Sequence, residues 1–368
     1  MQRLRIALAC VVALATSCSL VTSLDGLSGG ATTGDGDTDG NVTGIDAPSD
    51  APATKMDASL TDAPSTKPRK WRQLMVSGPP ALHSARMVFD EARGKAVLVG
   101  GSGNAATNDG TWEWDGTAWS QAMITTRPSS RGSPGLAYDS ARHLTMLFAG
   151  SNGTPDPWEW DGSAMWKSSG TSASTPDIRF SAVMTYDRKR SVLVVYGGLN
   201  TAAMSADEGG TWEWSPTSGF VNRKPSPSPP PRHANVLVYD EARARVVAFA
   251  GSDGSLRNDL WEWDGTTWFE VTPPISPASR RGACAAYDSV RKVTVIFGGR
   301  PGGMASALAD TWEWDGTAWT PGASGPSGRS SCAMAFDRAR NQIVMFGGSP
   351  GRVGSMPSQA LDETWVYE

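Results

Sequence analysis

Thr111–Trp119 reads TWEWDGTAW, and the same string returns at Thr311–Trp319. Near-copies lie between them: PWEWDGSAMW ending at Trp166, TWEWSPTSGF ending at Phe220 and LWEWDGTTW ending at Trp268. A shortened form, TWVYE, runs to Glu368. All 16 tryptophans belong to this pattern once Trp71, in KWRQLMV, is counted with them. Self-similarity at a fixed period is the signature of a repeat architecture and has to be read before any local structure.

A second marker gives the period. Short apolar runs end in a small pair at Gly100-Gly101, Ala149-Gly150, Gly197-Gly198, Ala250-Gly251, Gly298-Gly299 and Gly347-Gly348, in steps of 49, 48, 53, 48 and 49 residues. Upstream of each pair stands an aromatic-Asp step: Phe89-Asp90, Tyr138-Asp139, Tyr186-Asp187, Tyr239-Asp240, Tyr287-Asp288 and Phe336-Asp337. Three residues after each Asp comes Arg93, Arg142, Arg190, Arg243, Arg291 or Arg340.

Each unit reads as four short strands. The first ends at the aromatic-Asp step. Asp-x-x-Arg is a tight turn, because Asp suits a turn start and its charge can meet the arginine across the turn. The second strand is the apolar run, such as KVTVIFGG, whose continuous Val, Ile and Phe suit burial on both faces. A variable loop follows. The third strand carries Trp-Glu-Trp, with both indoles on one face at period two. Asp-Gly makes a hairpin turn, and the fourth strand carries the third tryptophan. No stretch shows sustained helical periodicity.

Four-stranded sheets repeated at about 50 residues describe propeller blades. The order aromatic-Asp, x-x-Arg, Gly-Gly, Asp, Trp-x-x and Trp resembles kelch repeats, such as those of kelch domains and of the central domain of galactose oxidase. The resemblance covers roughly residues 71–368 and implies an all-β, six-bladed kelch-type propeller. It says little of function, because propellers host unrelated activities. The sixth unit stops after its third strand, and its missing third tryptophan is Trp71. The N-terminal segment around Trp71 is therefore expected to supply the outer strand of the last blade, which closes the ring without an unpaired edge.

Residues 1–17 read as a secretory signal, with Arg3 and Arg5 before the apolar run IALACVVALA. The following ATSC, Ala15–Cys18, resembles a bacterial lipobox, although Ala stands where Leu is favoured. It implies a lipid-modified Cys18, with ordinary signal cleavage nearby as the alternative. By the sorting pattern of such lipoproteins, Ser19 implies the outer membrane. No other apolar run is long enough to span a bilayer.

Residues 18–70 are rich in Asp, Ala, Gly, Ser, Thr and Pro, too poor in apolar side chains to order themselves. They read as a flexible tether with a coil reach of ~40 Å. Inside lies DGDTDGNVTGID, with Asp35, Asp37, Asp39 and Asp46 at positions 1, 3, 5 and 12 of a calcium-loop spacing. No helix pattern flanks it, and an Asp-Gly spacer produces the same spacing by chance; that is the expected reading, with calcium binding the alternative.

The formal net charge of −4 offers no footprint for nucleic acid. Of four cysteines, Cys10 would leave with the signal and Cys18 would carry lipid. Cys284 lies three residues before its blade's aromatic and Cys332 four before, so they point to opposite faces of equivalent strands. Buried free thiols are the expectation, with a disulfide the alternative.

Chain direction sorts the loops. The Asp-x-x-Arg and Asp-Gly turns share one end of the ring and are short and uniform. The second-to-third-strand loops share the other end and vary: SGNAATNDG, LNTAAMSADEGG, RPGGMASALAD and SPGRVGSMPSQALDE. The links between blades also lie here, among them KPSPSPPPR before the fourth. Variable loops on a rigid scaffold are where function usually sits. The same end carries Arg131, Arg179, Arg232, Arg280 and Arg329, seven residues before each aromatic, with Leu82 in the first blade. One residue later, blades one and four carry His83 and His233, which would face each other across a six-membered ring. In kelch domains the equivalent segment often contributes to the ligand pocket. A basic ring would suit a carboxylate-bearing peptide or an acidic glycan. Against this, an acid recurs before each Trp pair, at Asp109, Asp156, Glu208, Asp259, Asp310 and Asp362. Repeated Arg and repeated acid at one end favour ion pairs that hold each blade.

A copper oxidase of the galactose oxidase type needs His and Tyr ligands. The chain has three histidines, and its six tyrosines are taken by repeat and strand positions. No metal-ligand cluster stands out. The DGTAW turns resemble sialidase Asp-boxes in part, but with different spacing and no Tyr–Glu nucleophile pair. The sequence therefore favours a non-catalytic, monomeric propeller without a cofactor, lipid-anchored at a bacterial envelope and binding a protein or glycan. The alternative is a glycan-active or oxidative enzyme whose residues lie in the variable loops.

Overall fold

Each repeat folds into one four-stranded antiparallel sheet, and six such sheets form a ring: a six-bladed β-propeller. The computed structural model describes residues 68–103, 108–151, 157–170, 175–176, 179–200, 209–303, 305–351 and 359–368. The chain divides into two units, Met1–Leu60 and Thr61–Glu368, and the first lies outside the described residues. So do the expected signal, Cys18 and the Asp35, Asp37, Asp39 and Asp46 loop. Among the described residues there is no helix.

Blade one runs from the channel outward as His83–Asp90, Lys95–Ser102, Thr111–Trp114 and Trp119–Gln121. Blades two to five repeat that order, beginning at Gly135–Asp139, Val183–Asp187, Val236–Asp240 and Cys284–Asp288. Blade six is Ala333–Asp337, Gln342–Phe346 and Thr364–Tyr367, with Trp71–Leu74 as its outermost strand. The register shows how closely the N-terminal strand copies the others. Trp71 lies opposite Tyr367, as Trp119 lies opposite Trp114 and Trp319 opposite Trp314.

The second strands are the most buried, as their unbroken apolar runs require. Val97, Leu98, Met146, Leu147, Val194, Val195, Val247, Val295, Ile296, Val344 and Met345 are all 0 % exposed. Apolar clusters form between neighbouring blades, because each sheet presents alternate residues to the blade on either side. Phe336 of blade six packs with Val295 and Phe297 of blade five. The aromatic before each Asp therefore faces the preceding blade. Tyr138, Tyr239 and Tyr287 place a hydroxyl 3.2 Å from a turn N–H of that blade, at Ala92, Lys189 and Ala242.

This arrangement corrects the expectation of free thiols. Cys284 and Cys332 form a disulfide between blades five and six, with their Cα atoms 5.5 Å apart. Opposite faces of equivalent strands are what neighbouring blades turn toward each other, so the parity that seemed to separate the two side chains brings them together.

Candidate ligand-binding face and central channel

At the short-turn end blades one to five spend their repeated charges internally. In blade two, the Asp139 carboxylate accepts from the Arg142 backbone N–H at 3.1 Å and from its Nε at 2.7 Å. Nη1 of Arg142 then reaches Glu159 of Trp-Glu-Trp at 2.7 Å. The same Asp–Arg–Glu triad recurs with Arg93, Arg190, Arg243 and Arg291. The next blade adds a donor to the glutamate: Trp263 to Glu213, Trp314 to Glu262 and the Tyr367 hydroxyl to Glu313. Blade six has Val366 in place of the glutamate. Arg340 turns instead to the carbonyls of Gly94 and Asp115 in blade one. The buried Trp114 N–H, which would meet a glutamate there, has no partner among the described residues.

The same end carries a feature the sequence reading missed. The residue after each aromatic-Asp step runs Glu91, Ser140, Arg188, Glu241, Ser289, Arg338 around the ring. The four charged members form a closed cycle across the channel. Arg188 pairs with Glu91 and, at 3.0 Å, with Glu241; Arg338 pairs with Glu241 and, at 2.8 Å, with Glu91. A half-ring period within the six repeats was the signal available in the sequence. Burial pulls the Arg188 guanidinium below its usual range, with Glu241 opposing that shift.

At the long-loop end the predicted arginines are latches. Arg131, Arg179, Arg232, Arg280 and Arg329 are 2, 2, 0, 0 and 0 % exposed. Each Nη1 donates to the first carbonyl of its blade's small pair: Ala149, Gly197, Ala250, Gly298 and Gly347, at 2.9–3.3 Å. Each arginine's own carbonyl accepts from the second N–H of the preceding blade's pair, as Arg329 does from Gly299 at 2.9 Å. Leu82 keeps that backbone bond, with Gly348 at 2.8 Å, without a guanidinium. Packing is close at Gly298, where a Cβ would stand 2.2 Å from the Arg329 carbonyl oxygen, whereas blades two and four accommodate Ala149 and Ala250 at this position.

Three arginines also hold an acid. Arg232 and Arg280 grip Asp259 and Asp310 in two-pronged pairs at 2.6–2.8 Å, and Arg329 holds Glu363 at 2.6 Å. Those acids accept the indole N–H of Trp261, Trp312 and Trp365 as well, each at 2.8 Å. Burial is the largest influence on all three carboxyls and would raise them. The arginine and indole bonds outweigh it, and the net is a lowered pKa. The working position is two residues before the tryptophan, so the expected Asp362 gives way to Glu363. Asp109, three before Trp112, pairs instead with Arg127 at 3.2 Å. Gly110 occupies the working position there, and the Trp112 N–H is unpaired among the described residues. Asp156 and Glu208 lie outside the described residues.

His83 opens the innermost strand of blade one, and His233, three residues before that of blade four, forms an isolated bridge with Ser252. His83 Nδ1 sits 3.0 Å from the Ser84 hydroxyl, and burial lowers its pKa. His233 donates its backbone N–H to Ser252 at 2.9 Å. The next residue in each is part of a ring of left-handed residues: Ser84, Ser133, Ser181, Ala234, Gly282 and Ser331, with φ between 50 and 63°. Backbone bonds run around it, from Ser133 to Ser84, Ser84 to Ser331, Ser331 to Gly282, Gly282 to Ala234 and Ala234 to Ser181. This ring narrows the channel at the long-loop end. Between it and the ion-pair cycle lies a cavity of about 220 Å³.

Of the variable loops, segments 104–107, 152–156, 201–208, 304 and 352–358 lie outside the described residues. Among the described residues no group of three or more His, Cys, Asp or Glu is placed to hold a metal ion. No protein-family model matches the chain, and no curated protein matches it at a meaningful level of similarity.

Proposed function

We propose that the chain is a kelch-type, non-catalytic binding propeller, carried on a bacterial envelope by a lipid on Cys18, that presents its long-loop end to a protein or glycan. The observation that carries this reading is the internal use of the repeated polar groups. The arginines that could have formed a basic rim are buried and bonded to carbonyls and acids of their own blades. The side chains left to discriminate a partner are those of the loops, which differ from blade to blade. The kelch-like order of motifs and the lipobox-like ATSC support the scaffold and the address.

The test combines a glycan array with cross-linked pull-down from envelope fractions, using the wild-type chain and variants in which 103–108 or 350–359 is replaced by a short Gly-Ser turn. Capture lost in the loop variants, with thermal unfolding unchanged, supports the reading. Capture that survives every loop replacement counts against the loop face. Turnover of a captured glycan overturns the non-catalytic assignment.

A further inference from the structure

Arg86 breaks the pattern of the innermost strands. The equivalent positions, three before each aromatic, hold Gly135, Val183, Val236, Cys284 and Ala333. By the parity that joins Cys284 to Cys332, this position faces the following blade, and Arg86 Nε donates to the Pro134 carbonyl there at 3.2 Å. That is the sole bond of its guanidinium among the described residues, and no carboxylate pairs with it.

The side chain lines the central cavity of about 220 Å³. The other charged groups of that lining are Glu91, Arg188, Glu241 and Arg338, which cancel as two acids and two bases within their own cycle. The rest is mostly apolar side chain and strand backbone. Arg86 therefore adds one uncompensated positive charge. Enclosure lowers its pKa to about 10, so it stays charged at neutral pH. An enclosed cation is stabilised by an opposite charge at hydrogen-bonding distance, and the planar guanidinium fork suits one.

We infer that the central cavity binds a small monovalent anion, a halide or a one- or two-carbon carboxylate, on the Nη1 and Nη2 groups of Arg86. One negative charge neutralises the chamber. The volume holds such an ion with several waters, at ~30 Å³ per water. The ion-pair cycle and the backbone ring at its two ends favour a small ion over a polypeptide side chain.

Crystals of the full chain soaked in bromide test the site directly. An anomalous peak within hydrogen-bonding reach of the Arg86 guanidinium is the expected result, and formate added to the soak tells whether a carboxylate displaces the halide. In solution, replacing gluconate by chloride or formate at constant ionic strength should raise Tm by about 2 °C. R86M should lose both the peak and the shift. Bromide found only on the outer surface of wild-type crystals, with water alone in the cavity, overturns the inference. So does an anion-dependent shift of equal size in wild type and R86M. Should R86M fail to fold, the wild-type crystals decide.

Discussion

The indole N–H of Trp71 donates to the hydroxyl of Thr311 at 2.9 Å, across 240 residues of sequence. It is one instance of a bond repeated around the ring. Trp119 donates to Thr364, Trp166 to Thr111 and Trp268 to Thr211, each from the outer edge of one blade to the third strand of the blade before. Trp71 thus serves blade six as the other tryptophans serve theirs, and its ring packs against Phe297 and Tyr367. Replacing Trp71 by alanine should cost about 3 kcal/mol, at the lower end for an aromatic truncation because the ring is only half-buried. W71F should cost about 1 kcal/mol. A double-mutant cycle of W71F with T311V, followed by denaturant unfolding, should show a coupling of about 1 kcal/mol. Simple additivity would rule out the closing bond.

The same bond is missing at two seams, with different consequences. Blade two has Pro157 in place of the threonine, and its neighbour carries Phe220, which has no N–H to satisfy. Blade four has Leu260 there, and the N–H of Trp319 is buried without a partner among the described residues. W319F should therefore be cheaper than W268F, which strands the Thr211 hydroxyl as well as shrinking the ring. The expected gap in unfolding free energy is about 1–2 kcal/mol. Equal costs would mean that the Trp268–Thr211 bond contributes nothing.

The Cys284–Cys332 disulfide closes a loop of 48 residues between the last two blades. On the chain-entropy account that is worth about 4 kcal/mol. Reductant, or the C284A/C332A pair, should lower the unfolding midpoint of the propeller while leaving its β-sheet circular dichroism intact under native conditions. A midpoint indifferent to reductant would show that the bond does not form in solution.

Acid should unlatch the long-loop end. Asp259, Asp310 and Glu363 have folded pKa values below their ordinary ones. Below the ordinary range the unfolded chain takes up protons that the folded chain refuses, so stability falls with falling pH. The contribution is complete above about pH 5 and fades as pH drops through about 4 and below. D259N, D310N and E363Q together should flatten that slope in pH-dependent unfolding. An unchanged slope would place the acid sensitivity elsewhere.

Much of this was legible because each repeat encodes its own hairpins. Val, Ile and Phe runs mark the doubly buried second strands, and Trp-Glu-Trp, Asp-x-x-Arg and Asp-Gly set the third strands and the turns. Six copies with one missing strand require closure by Trp71. The reading weakened wherever it had to say which side chains meet. Counting back from the tryptophans found an acid in every blade, but only the side chain two residues before the indole lies on the face that meets the arginine, so Glu363 displaces Asp362. The Glu91–Arg188–Glu241–Arg338 cycle was visible as an alternation along the repeats. Its meaning depended on knowing that these positions converge on the channel.

The sequence by itself determined the blade, the blade count and the strand that closes the ring, since period-two burial and turn chemistry act within a few residues of the chain. Only the tertiary structure decided which side chains meet across blades: Cys284 with Cys332, Trp71 with Thr311, Arg188 with Glu91 and Glu241. Alternation tells which face a residue occupies. The neighbour it finds there is set by ring closure, which couples residues between about 50 and 300 positions apart and leaves no local trace.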